Sequence, residues 1–232
     1  MITVSNLRKS YKGIPAVSID NLTINSGEVV GLVGNNGAGK TTFFRLLLDL
    51  IRADSGQILS KEKPVNTTED WKNYTAAYID EGFLIEYLTP EEYFYFVGKL
   101  NKQSKADVDD FLQHYIPFFD DAILNKGKYI RDYSKGNQFK IGIVAALLCN
   151  PALLILDEPF ANLDPTTQLR LVDMIKELAQ LKKLCIIVSS HDINHVTEVS
   201  SRILLMEKGS IIKDIAGGEG AYNELVEYFK VR

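Results

Sequence analysis

Cysteine is nearly absent: Cys149 and Cys185 are the only two in 232 residues. Both sit inside apolar runs, which reads them as small core side chains and excludes a disulfide framework or a cysteine metal site. Basic residues do not dominate. Lys and Arg number 26 against 30 Asp and Glu, a net charge of −4, so no general basic footprint for nucleic acid exists, although a local patch stays open. Long apolar runs are missing too, since none approaches the roughly 20 residues that a membrane helix needs. Met1–Asn6 lacks the basic-then-apolar pattern of a secretory signal. The expectation is a cytoplasmic protein; if it works at a membrane, another chain does the spanning. There is no internal repeat, no low-complexity segment, no obvious linker and no heptad run. What remains is ordinary soluble composition, 46% hydrophobic and 24% charged. It suits one large α/β domain, alone or with a small insertion.

One stretch organises the rest. Gly34-Asn35-Asn36-Gly37-Ala38-Gly39-Lys40-Thr41 fits the phosphate-loop pattern G-x-x-x-x-G-K-[ST]. Its glycines let the backbone curl until successive N–H groups point at phosphate oxygens. Lys40 is placed to reach the β- and γ-phosphates, and the Thr41 hydroxyl to ligate Mg²⁺. Val29–Val33 before the loop reads as a buried strand. Thr42 to Leu48 after it reads as a helix, whose N-terminus adds a positive dipole end beneath the phosphates. The bland alternative is a glycine-rich strand-to-helix turn that binds nothing.

Elsewhere, residues 2–7 and 14–25 read as strands about a Lys12-Gly13 turn. Tyr11 lies in this turn, where it is either an ordinary turn aromatic or a stacking partner for a purine base. Short strands are expected at 57–59 and 74–79. Thr89, Pro90, Glu91 and Glu92 form a helix start, and helical patterns follow at about 90–100 and 105–116. Residues 74–119 are a fifth of the chain and carry half its aromatics. Many of these should fill a thin helical core. But Tyr93-Phe94-Tyr95-Phe96 are consecutive and cannot all face one core from a helix, which suggests a docking surface.

Ser134 is a natural N-cap for a helix over 138–148, whose free N–H groups would make a second anion site. Leu153–Leu156 reads as a fully buried parallel strand. It delivers Asp157 and Glu158 to its C-terminal end, where α/β sheets place ligands. A helix then carries Leu169, Val172, Ile175 and Leu178 on one face. Residues 184–189 form another buried strand, with His191 just past its end. A hairpin turns about Lys208-Gly209, and a final helix spans 221–230. Around a phosphate loop, Asp157 can hold the Mg²⁺ shell, Glu158 can act as general base for water, and His191 can contact the γ-phosphate. Taken singly, each has a bland reading as a structural histidine or a solvated acidic turn.

In these residues the chain resembles the ATP-binding-cassette (ABC) ATPases, from Tyr11 to Gly209. The resemblance implies an α/β fold: a P-loop NTPase core with a mostly parallel sheet, an N-terminal antiparallel β part and an inserted helical lobe at about 83–150, all within one domain, 1–232. Tyr11 matches the adenine-stacking aromatic. Asn36, Gly37, Ala38, Gly39, Lys40, Thr41 and Thr42 match the nucleotide-binding Walker A segment. Ser134-Lys135-Gly136 falls at the signature motif, with Ser134 and Gly136 facing a γ-phosphate. Asp157 ends the Walker B strand and Glu158 is the catalytic base. Asn162-Leu163-Asp164 looks like the D-loop, and His191 like the switch histidine. The signature reads Tyr-Ser-Lys-Gly-Asn where the family has Leu-Ser-Gly-Gly-Gln. Glu81, after Asp80, stands where the family has its Q-loop glutamine. A carboxylate there can ligate Mg²⁺ but adds negative charge beside a triphosphate.

The resemblance implies ATP and Mg²⁺ as cofactors. It also implies a head-to-tail homodimer or heterodimer sandwiching two ATP, and an integral-membrane transporter subunit as partner. The chain would then lie peripherally on the cytoplasmic face of the membrane. The Lys-bearing signature and the short C-terminus, with no appended regulatory domain, resemble the exporter-type branch more than the sugar-importer branch. The runner-up is a soluble ABC ATPase acting on ribosomes or DNA. Those usually carry two cassettes or a long coiled coil, and with net charge −4 no nucleic-acid partner is expected. A third reading, a nucleotide-binding regulator without turnover, is opposed by intact Lys40, Asp157, Glu158 and His191.

Overall fold

A computed structural model describes residues 1–79, 83–161, 163–180 and 184–230. Two sheets carry the architecture. The first is antiparallel, with β1 (Ile2–Tyr11), β2 (Ile14–Ile24), β4 (Ser55–Ser60) and β5 (Lys63–Pro64) in the order β2-β1-β4-β5. Lys12 and Gly13 both have positive φ, 50° and 80°, as a tight two-residue hairpin requires. Tyr11 therefore closes β1 opposite Ile14 and is not inside the turn. β1 runs four residues beyond the expected strand because Asn6, at φ 48°, breaks the alternation with a local irregularity and pairing resumes after it.

The second sheet holds β3 (Val29–Val33), β6 (Thr75–Tyr78), β7 (Leu153–Leu156), β8 (Cys185–Ser190), β9 (Arg202–Glu207) and β10 (Ser210–Ala216). Its order is β10-β9-β3-β8-β7-β6, parallel from β9 to β6, with β10 antiparallel at the edge. β3, β7 and β8 are buried throughout, as parallel strands covered on both faces should be. Alternation along them divides the core. Leu154, Leu156, Ile186 and Val188 face one cluster, and Leu153, Ile155, Cys185 and Ile187 face the other. Burial pushes the Cys185 thiol up to about 12, whereas Cys149 is only half-buried.

The second cluster is covered by the antiparallel sheet and α1 (Lys40–Leu47). The first is covered by α2 (Pro90–Leu100), α3 (Lys105–Gln113), α4 (Ile116–Phe119), α5 (Lys135–Leu148) and α6 (Pro165–Gln180). The Thr89 start of α2 is a full capping box, with Glu92 N donating to Thr89 Oγ1 and Thr89 N to Glu92 Oε2. The expected helix at 105–116 stops at Gln113, and Pro117 lies in the first turn of the next, since proline favours a helix start over a helix interior. α5 is buried from Gln138 to Leu148. Gly142 lets it lie against β6: a Cβ there would meet the Tyr78 ring at 2.2 Å. A third cluster joins β9 and β10 to α7 (Ile193–Val199) and α8 (Glu219–Lys230). α7 was not expected: it has seven residues and only a short apolar pattern, although its Asp192 N-cap was readable.

Two expectations about faces need correction. Leu169 is 60% exposed, and Leu171 takes its place beside Val172 and Ile175, because residues 169 and 171 lie nearly opposite on a helix. The aromatic run does split between core and solvent, with Phe94 fully buried, but its exposed member is Phe96. Tyr93 and Tyr95 are half-buried, and the Tyr95 hydroxyl donates to Asp109 Oδ1 at 2.6 Å. Phe94→Ala should therefore cost about 3–5 kcal/mol of stability, the usual range for a large core aromatic. Phe96→Ser should stay within about 0.5 kcal/mol. Urea unfolding distinguishes them, and equal losses would contradict this assignment of faces.

Candidate nucleotide-binding and hydrolysis site

β3 ends at Val33, the loop spans 34–39, and α1 begins at Lys40. Two glycines of the loop allow close approach. A Cβ at Gly34 would meet the Met206 carbonyl oxygen at 2.3 Å, and one at Gly39 would meet that of Ala16 at 2.3 Å. Gly39 also has φ 110°, and Gly37 has φ 82° with open space beside it, so both hold conformations that L side chains avoid. The loop is braced from behind: Gly209 N donates to Ala38 O at 2.8 Å, and Gly209 O accepts from Ser18 N at 2.8 Å. The Lys208-Gly209 turn is readable in the sequence but this bracing role is not, since nothing local links residue 209 to residue 38.

Five of the expected side chains converge at the C-terminal end of the parallel strands. Thr41 Oγ1 donates to Asp157 Oδ2 at 2.6 Å. The nearly buried Lys40 ammonium donates to Gly34 O at 2.6 Å and lies 3.1 Å from Glu158 Oε1. The approach to Glu158 is a charge contact and not an aligned hydrogen bond, so Oε1 is a buried oxygen without a hydrogen-bond donor. Glu158 Oε2 accepts from His191 N at 3.2 Å and faces His191 Nδ1 at 2.8 Å. Glu158 itself sits at φ 49°, a left-handed conformation that persists for such a residue only where its surroundings fix it. Burial raises the Asp157 pKa, and the neighbouring Glu158 charge adds to the rise. Hydrogen bonds from Ser189 and Thr41, and the Lys40 charge, oppose it.

The other expected residues stand apart from this network. Tyr11 is 49% exposed at the hairpin end, with Lys9 Nζ 5.5 Å from its ring centroid. Asn36 and Gly37 are exposed, Ala38 is buried, and Thr42 is half-buried in α1. Ser134 is exposed and caps α5, accepting from Asn137 N at 3.3 Å, with Gly136 half-buried two residues on. Asp164 caps the start of α6 by accepting from Thr167 N and Thr167 Oγ1, which lowers its pKa. Glu81, expected near the metal, its neighbour Asp80 and Asn162 lie outside the described residues. Ser189 was missed. It is buried between Asp157 and Glu158, and its signal was a hydroxyl ending an otherwise apolar strand.

This donor set fits a magnesium–nucleotide complex. Thr41 and Asp157 offer hard oxygens, while no cluster of three or more His, Cys, Asp or Glu among the described residues could hold a metal ion alone. Beside the two oxygens of Thr41 and Asp157, a cation here would take further oxygens from phosphate and water, as Mg²⁺ usually does.

Comparison with known proteins agrees. The family model described as "ABC transporter" matches residues 17–161. YhaQ of Bacillus subtilis, an uncharacterized ABC transporter ATP-binding protein, is 33% identical over 212 residues, covering 90% of this chain and 69% of that one. LptB of Haemophilus influenzae, the ATP-binding protein of a lipopolysaccharide export system, is 31% identical, covering 91% and 89%. A post-hydrolysis dimer of the ATP-binding cassette MJ0796, bound to ADP and Pi, shares the fold at TM-score 0.83 and 22% identity, covering 94% of this chain and all of that one. The chain belongs to the ABC transporter ATP-binding family, and family and fold together imply ATP hydrolysis.

The loop geometry makes a direct prediction. Gly39→Ala places a Cβ against Ala16 O in a strained conformation, so it should weaken ATP binding by at least about fivefold, as about 1–3 kcal/mol of local strain would. Equilibrium dialysis with labelled nucleotide would show it. Unchanged affinity would mean that the loop tolerates a different path.

Proposed function

We propose that this chain is the ATP-hydrolysing subunit of an ABC transporter and powers transport by a separate membrane-spanning chain. We read residues 1–232 as one ABC ATPase domain, with the helices of about 83–150 inserted in its nucleotide-binding core. The observation that carries the reading is the connected network of Lys40, Thr41, Asp157, Glu158 and His191 at the mouth of a phosphate loop.

In this reading Tyr11 stacks on the adenine, and the loop from Asn36 to Thr42 wraps the phosphates. Thr41 and Asp157 hold Mg²⁺, which supplies positive charge to the phosphate oxygens. A phosphate competes with Glu158 for Lys40. Once Lys40 turns to the phosphate, Glu158 Oε1 is free to take the proton of the attacking water, whose oxygen bonds to the γ-phosphorus as ADP leaves. His191 stays beside Glu158 and contacts the γ-phosphate. Glu81 is assigned to the metal side from its place in the sequence. Ser134, Gly136 and Asp164 serve the nucleotide bound by the other chain of a head-to-tail dimer.

A membrane partner is supported by the helical region. Phe83 and Tyr87 are exposed at 53% and 69%, as is Phe96. The Arg131 guanidinium lies 4.9 Å from the Tyr87 ring centroid and 5.3 Å from that of Tyr129. Exposed aromatics and Arg are favoured interface anchors. No helix among the described residues is long and apolar enough to cross a membrane. We place the transporter in the exporter class, supported by Lys135 in the signature and by the match to LptB over 89% of its length. CysA of Pectobacterium atrosepticum, a sulfate/thiosulfate import protein, matches at 28% over 70% of its length.

Two experiments test this reading. Glu158→Gln should keep ATP binding and lower hydrolysis by about 100-fold or more, the usual contribution of a positioned base, while Lys40→Ala should weaken binding itself. Near-normal turnover by Glu158→Gln would remove that residue from the role. Changing Phe83, Tyr87 and Phe96 together to Ser should leave basal ATPase and melting temperature nearly unchanged, yet reduce recovery of the membrane chain in pull-downs. Normal recovery would place the partner elsewhere.

A further inference from the structure

Ser189 has no part in the chemistry above, yet it sits at the centre of the network. It is fully buried in β8, after Cys185, Ile186, Ile187 and Val188. Its hydroxyl donates to Asp157 Oδ1 and accepts from the Glu158 backbone N–H at 2.9 Å. A hydroxyl has one proton to give and lone pairs to receive, so one side chain fixes both the carboxylate of the first acid and the peptide of the second. That peptide leads into the left-handed Glu158, where a small rotation would swing the carboxylate.

The remaining anchors differ in kind. Thr41, Lys40 and His191 are each proposed to face the nucleotide or its cation: Lys40 and Thr41 turn toward it, and His191 shares itself between Glu158 and the γ-phosphate. Ser189 lies behind the two acids, inside the sheet. We propose that Ser189 is a positioning residue that holds Asp157 and Glu158 in one fixed relation while their other partners turn to the nucleotide. The inference rests on the roles proposed above for those two acids.

The test compares Ser189→Ala with Ser189→Thr, which keeps the hydroxyl. Ser189→Ala should lower kcat about tenfold, the factor expected for one lost hydrogen bond of ordinary strength. Its ATP affinity in EDTA should stay within about twofold of the wild type, while the tightening produced by Mg²⁺ should shrink, because Asp157 has lost a partner. Ser189→Thr should return kcat to within about threefold of the wild type. In a Glu158→Gln background, Ser189→Ala should change the residual rate by less than about twofold, as expected for two residues acting through one contact. Wild-type kcat in Ser189→Ala, or equal losses in Ala and Thr variants that both fold, would overturn the proposal. If Ser189→Ala does not fold, Ser189→Cys keeps the volume without a strong hydrogen bond and takes its place in the same comparison. A wild-type-like Ser189→Ala beside an inactive Glu158→Gln overturns only the role of Ser189, whereas an active Glu158→Gln overturns the reading of the acid itself.

Discussion

Two adjacent carboxylates at the end of a buried strand are the constraint on which the rest depends. Asp157 and Glu158 would repel each other and suffer desolvation if left alone. The fold surrounds them with Lys40, Thr41, Ser189 and His191. None of these is a sequence neighbour; the sheet brings them in. Leu156 pairs with Val188, which sets Asp157 beside Ser189. Val33 pairs with Ser190, which places the phosphate loop next to the same strand end. A one-residue slip of β8 against β7 would turn Ser189 to the other face and leave Asp157 buried without it.

Much of this was legible because it is local. The loop's glycines, its Lys-Thr pair, the apolar strands on either side and the capping residues Thr89 and Ser134 each carry their meaning in a few neighbouring residues. The Lys208-Gly209 turn was legible from its glycine between two apolar runs, and both residues do adopt positive φ. Its contact with Ala38 was not, because only the pairing of β9 with β3 brings them together. Ser189 was passed over for the same reason: its importance comes from β7, and not from its own strand. The aromatic run showed that some ring must be exposed, but which one depended on how α2 rolls against α5. The answer was Phe96, with Phe94 packed on Phe119.

The chain also separates two sets of residues that share one expected task. Lys40, Thr41, Asp157, Glu158 and His191 form a single hydrogen-bonded and charged network. Ser134 caps its own helix and, among the described residues, makes no hydrogen bond to the phosphate loop. Asp164 likewise spends its carboxylate on Thr167. The exposed start of α5 offers backbone N–H groups and a positive dipole end. In the proposed head-to-tail dimer these would face a phosphate bound by a second copy of the chain.

Mixing two inactive variants tests this division most directly. Lys40→Ala removes the phosphate contact of one half and Ser134→Arg blocks the other, so neither chain alone should hydrolyse ATP at an appreciable rate. Where one intact composite site suffices for turnover, an equimolar mixture should regain activity well above the sum of the separate chains, and should lose it on dilution. Wild-type chain that hydrolyses ATP at the same specific rate as a strict monomer, at every protein concentration, would contradict the shared site.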